Sequence, residues 1–148
     1  CIDRREYPGG VPRTNVSLGG AKAACDNRGG RLCTGAEWRR GCGGQYPYGS
    51  VYDEERCNTM ALDGSSREVV SSGSFSGCKS GYGLLDMVGN VGEWTSDGMV
   101  RGGDAYKTGQ DATCGSAKRR APDSASPYVG FRCCADPKLS DAEPEEPK

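Results

Sequence analysis

The sequence predicts an α+β fold, with two short helices near the start, small antiparallel sheets after them, and disulfides in place of a large aliphatic core. Three observations predict it. Of 148 residues only 18 are Leu, Ile, Val or Phe, well under the roughly 20% below which a packed apolar core becomes doubtful. Nine cysteines and a net charge of −1 argue against a disordered chain, which pairs low hydrophobicity with strong charge. Finally, helix-type spacing is confined to the first third; the rest is Gly, Ser and Pro punctuation around brief apolar islands.

The first helix runs through LGGAKAACDN, with Ser17 as N-cap and the Gly29-Gly30 pair as its stop. Ala21, Ala24 and Cys25 give it a narrow buried stripe. The second is marked by Thr34 and Glu37, a capping box in which each side chain satisfies an orphan amide of the first turn. Trp38 and Cys42 then lie four apart on one face. That position makes Glu37 a cap rather than a catalytic carboxylate. Near the end, Val129, Phe131 and Cys133 alternate with Gly130, Arg132 and Cys134, the two-residue period of a strand. Cys133 and Cys134 are therefore expected to have different partners, one in the core and one outside it.

Residues 1–136 read as one domain. Residues 137–148 form an acidic, Pro-rich segment expected to be a disordered tail or linker. The tail carries a net charge of −2 and the body +1, so neither has the bias that nucleic acid demands. Lys118, Arg119 and Arg120, like Arg39 and Arg40, read as solvated surface. No apolar run approaches the roughly 18 residues of a membrane span.

With no histidine, Ser-His-Asp and Cys-His nucleophile pairs and imidazole metal sites are excluded. Cysteines at irregular spacings without a CxxC point to a disulfide framework, and so to an exported protein that is periplasmic, cell-surface or extracellular. Cys1 is expected to be a disulfide partner rather than a lipid-anchored terminus. The odd count leaves one thiol free or bridged to another molecule.

Seven islands in order carry a resemblance: CIDRREYP, the helix ending in AAC, RLCTGAEWRRGC, YPYG, GLLDMVGNVGEWTSD, RGG and GFRCCAD. Together they resemble the formylglycine-generating enzyme, or sulfatase-modifying factor, domain from Cys1 to about Asp136. The resemblance implies a variant of the C-type lectin fold, poor in regular structure, with Cys1 in a first strand. It also implies disulfides Cys25–Cys133 and Cys42–Cys114. Cys57 and Cys78 are extra and enclose 20 residues rich in Ser and Gly, so they are paired with each other. Cys1, Cys33 and Cys134 stay unassigned.

In the enzymes it resembles, DMVGNVGEW is a calcium site. The corresponding ligands here are the side chains of Asp86 and Glu93 and the carbonyls of Gly89 and Val91, hard oxygen donors on a loop that glycines let curl. The competing expectation is that Asn90 and Glu93 only tie the loop around a buried Trp94. Catalysis does not carry over. There RGG is followed by a Ser and by two cysteines five residues apart, which hold copper; here Asp104 replaces the Ser, Lys107 stands at the first cysteine, and only Cys114 follows.

The expected function is therefore a non-catalytic extracellular binding or structural module that recognises a protein or other surface partner through the loop 104–128. Its candidate contacts are Asp104, Tyr106, Lys107, Gln110, Lys118, Arg119, Arg120 and Tyr128, a Tyr and Arg mixture suited to recognition. The alternatives are a copper-dependent formylglycine-generating oxidase and a structural subunit of a larger assembly that buries the face carrying Tyr46, Tyr48 and Tyr52.

Overall fold

The computed structural model describes residues 1–106 and 109–137; the expected tail, beyond Pro137, lies outside them. Helix α1 spans Leu18–Asn27, with the Ser17 hydroxyl accepting from the Gly20 amide. Helix α2 spans Gly35–Cys42 and starts with the complete capping box of Thr34 and Glu37. Glu37 also accepts two hydrogen bonds of 2.7 Å from the Arg31 guanidinium. That pairing, more than any other contact, holds its carboxyl down at about 2.

The strands are β1 (Arg31–Leu32), β2 (Gly92–Trp94), β3 (Met99–Arg101), β4 (Ala117–Arg119), β5 (Val129–Phe131) and β6 (Cys133–Cys134). β1 and β6 form an antiparallel pair; the other four form a sheet in the order β4-β3-β2-β5. This corrects the expectation of purely antiparallel sheets. β2 and β5 run parallel, with Gly92, Glu93 and Trp94 opposite Val129, Gly130 and Phe131. Parallel neighbours need a long crossover, and the chain from β2 to β5 supplies it by way of β3 and β4.

Two apolar clusters share the scarce hydrophobic residues. In one, α1 lays Leu18, Ala21, Ala24 and Cys25 against Trp94, Val129 and Phe131. In the other, Trp38 and Cys42 of α2 pack on Leu84, Met87, Val88 and Cys114. Both tryptophans are buried, and Trp94 donates its indole N–H to the Val16 carbonyl at 2.9 Å.

Each cluster is laced by disulfides. Cys25–Cys133 joins α1 to β6 across 108 residues, and Cys42–Cys114 joins α2 to the long loop across 72. Cys57–Cys78 closes a loop of 21, and Cys33–Cys134 ties β1 to β6. Bridges over such spans are worth about 3 to 5 kcal/mol each in the chain-entropy account, which offsets missing aliphatic burial. Two expectations are corrected. Cys1 is the free, exposed cysteine rather than a disulfide partner. Cys133 and Cys134 have different partners but are both buried, because the two-residue strand β6 is covered on both faces.

Candidate functional site

Beneath the DMVGNVGEW loop lies a buried ionic network. Arg132, placed by the backbone between Phe131 and Cys133, points inward and is 1% exposed. Its Nε donates to Glu93 Oε1 at 2.5 Å and its Nη2 to Glu93 Oε2 at 3.2 Å and to the Leu85 carbonyl at 2.7 Å. Trp38 Nε1 adds a third donor to Glu93. Glu6, fully buried, accepts from the Asn90 side chain at 2.8 Å and the Val91 amide at 3.4 Å. Asp86 accepts through Oδ2 from the Ser72 hydroxyl and the Gly73 amide.

Three buried carboxyls thus lie within electrostatic reach of one buried guanidinium, which bonds only Glu93 among them. Burial pushes the Glu6, Asp86 and Glu93 carboxyls upward; Glu93 and Asp86 add their repulsion at Glu6, Asp86 adds its own at Glu93, and Arg132 opposes all three shifts. This geometry tests the expected calcium ligands. The Gly89 and Val91 carbonyls and Asp86 Oδ1 receive no hydrogen bond among the described residues, so these oxygens are available to a hard cation. Glu93 is not, since both its oxygens are taken by Arg132. The donor set therefore fits calcium in part, and among the described residues no group of three or more acidic or thiol side chains is arranged to hold a metal.

A second feature opens over the four-stranded sheet. A groove of about 330 Å3 has Gly92, Val100 and Val129 on its floor and Asp104, Asp111, Ser116, Lys118 and Arg120 on its walls. Gly92 keeps the floor low, and a Cβ there would meet Val100 Cγ1 at 2.7 Å. Of the expected contact residues, the structure brings Asp104, Lys118 and Arg120 into this groove. Tyr106 and Tyr128 stack on each other with ring centroids 4.7 Å apart. Arg119 turns away to the Asp97 carbonyl, and Gln110 contributes its backbone carbonyl to the Tyr46 hydroxyl. Lys107 lies outside the described residues.

Cys114 sits at 2% exposure, bonded to Cys42. The one cysteine between RGG and β6 is thus held in a disulfide.

Over residues 3–137 the sequence matches the sulfatase-modifying factor enzyme 1-like domain. The chain belongs to this family. Its relatives include the inactive C-alpha-formylglycine-generating enzyme 2 of Bos taurus, 35% identical over 84% of this chain and 50% of that protein. The formylglycine-generating enzyme of Mus musculus is 30% identical over 84% and 44%. The chain thus spans about half the length of these curated relatives. Among solved structures, Treponema denticola variable protein 1 shares the fold at a TM-score of 0.74 and 18% identity, covering 89% of this chain and 73% of that one. PvdO from Pseudomonas aeruginosa gives 0.68 and 21%, over 86% and 68%.

Several features of this family member escaped sequence reasoning. Neither Glu6 nor Arg132 was singled out, although an arginine inside the apolar run YVGFRCC is a signal that its charge is buried and paired. Gly92 reads only as a glycine that lets the loop curl, and the groove residues Asp111 and Ser116 carry no signal at all.

Proposed function

We propose that this domain is a non-catalytic recognition module of an exported protein, presenting the loop 104–128 and its groove to a protein partner. One observation carries the reading: Cys114 is locked to Cys42, with Asp104 after RGG, so the pair of thiols that copper chemistry needs in the family is missing. The sole free thiol among the described residues is the exposed Cys1. Support for export comes from four disulfides, which persist in oxidising compartments. Among the described residues no helix is long and apolar enough to cross a membrane.

Titration with Cu(I) in the presence of a cysteine-containing peptide tests the absence of chemistry. No stoichiometric copper binding and no aldehyde are expected; both together overturn the reading and restore the oxidase. Non-reducing peptide mapping is expected to find a single alkylatable thiol, at Cys1.

The proposal extends to calcium, bound by Asp86 with the Gly89 and Val91 carbonyls, and by Glu93 only if it yields Arg132. The ion would supply positive charge to a loop with more buried carboxyls than guanidinium groups. Calorimetry with CaCl2 on chelator-treated protein is expected to show one site and a raised melting temperature. No heat and no shift at millimolar calcium would sink it.

A further inference from the structure

Within the groove over the sheet one donor stands out. Arg120 Nε is buried and has no hydrogen-bond partner, one of only two such side-chain atoms among the described residues. Buried polar groups are paired almost without exception, and one left over needs an explanation. No ion pair among the described residues engages its guanidinium either, whereas the adjacent Arg119 donates to the Asp97 carbonyl. Lys118, opposite Val100 in the β3–β4 register, lines the same groove and brings a second cation.

The shape of the missing partner follows from these charges. A guanidinium fork matches a planar carboxylate bidentately. The groove is also lined by Asp104 and Asp111, whose charge repels a polyanion such as nucleic acid or a sulfated polysaccharide. A single carboxylate on an otherwise neutral or basic segment, set against Arg120 and Lys118, meets far less of that repulsion. The volume, about 330 Å3, is at the lower end for ligand sites and admits one or two side chains rather than a folded element.

We infer that the groove takes an Asp or Glu side chain from an extended segment of a protein partner, with Arg120 clasping the carboxylate and Lys118 beside it. This rests on the recognition reading above and names the chemistry of what is recognised.

The test is an amide chemical-shift titration of the full chain with three blocked pentapeptides, identical except for a central Glu, Gln or Lys. The Glu peptide is expected to shift amides around Gly92, Val100, Ala117 to Arg120 and Val129, and to bind about tenfold more tightly than the Gln peptide, the discrimination of one charge-assisted pair. Arg120→Gln should abolish that preference, Lys118→Gln should weaken it, and Arg119→Gln should leave it intact. Equal binding of Glu and Gln peptides, or a preference that survives Arg120→Gln, overturns the inference while leaving the recognition reading standing. If no peptide shifts any amide between residues 92 and 129 at about 10 mM, weaker than any useful affinity, the recognition reading itself fails and the inference with it.

Discussion

Replacing Arg132 by Met tests whether the buried network, rather than the aliphatic core, carries this fold. The substitution leaves Glu93 at 0% exposure without its counter-charge. It also removes the donors to the Leu85 carbonyl at 2.7 Å and to the Asp3 and Arg4 carbonyls at 3.1 and 3.3 Å. Breaking a buried pair from one side costs about 3–5 kcal/mol. Leaving the Leu85 carbonyl unpaired adds about 1 kcal/mol more. The total, about 4–6 kcal/mol, rivals the whole stability of many domains. Urea denaturation with oxidised protein, followed by the fluorescence of buried Trp38 and Trp94, reads it directly. At a slope near 1.5 kcal/mol/M the midpoint should fall by more than about 2 M. The double variant Arg132→Met with Glu93→Leu should recover at least half of the loss, because an apolar pair avoids the orphan charge. A midpoint shift under about 0.5 M for the single variant, with unchanged slope, would refute the claim that the pair is integral to the fold.

Three further outcomes follow from local geometry. Glu37, held at about 2 against an ordinary 4.5, stabilises the fold above pH 4.5 and loses that contribution as pH falls through about 2; wild type and Glu37→Gln should differ by only about 1 kcal/mol at pH 6, since the pair is a third exposed, and converge at the acid end of a stability titration. Cys57→Ser with Cys78→Ser opens a loop of 21 residues and should cost about 3 kcal/mol by urea titration; no change would mean the segment is ordered without its bridge. Gly102→Ala places a side chain at a φ of +86° against the Met87 carbonyl and the Trp38 ring, so calorimetric melting should fall by about 5–10 °C, or about 2–4 kcal/mol.

What could be seen in the sequence was what is local. The Ser17 cap and the Thr34-Glu37 box lie within three residues of the amides they satisfy, so α1 and α2 emerge with their observed starts. Cys25–Cys133 and Cys42–Cys114 came from the resemblance and Cys57–Cys78 from the Ser- and Gly-rich stretch that these two leftover cysteines enclose, while Cys33–Cys134 stayed unassigned. The β2–β5 parallel pair was illegible because strands of three residues carry almost no periodicity, and two segments far apart in the chain meet only through packing. The Glu6 to Asn90 bond, across 84 residues, was hidden for the same reason. For the candidate site, composition pointed to the loop, but only folding separates Arg120, turned into the groove, from Arg119, turned away.

That separation of roles lets function be perturbed without loss of fold. The disulfides, the Arg132 network and the two apolar clusters lie under the loops, while the walls of the groove are half-exposed or exposed side chains: Asp104, Asp111, Lys118 and Arg120. Arg120 gives its side chain to no described partner, so Arg120→Gln removes a buried orphan rather than a bond and should change stability by less than about 0.5 kcal/mol, against about 4–6 for Arg132→Met. Two arginines twelve positions apart would then differ about tenfold in their cost to the fold, the larger cost falling on the one that no ligand touches. If Arg120→Gln instead destabilised the domain as severely as Arg132→Met in the same urea titration, its guanidinium would be a structural member, and the groove would be a by-product of packing rather than a site.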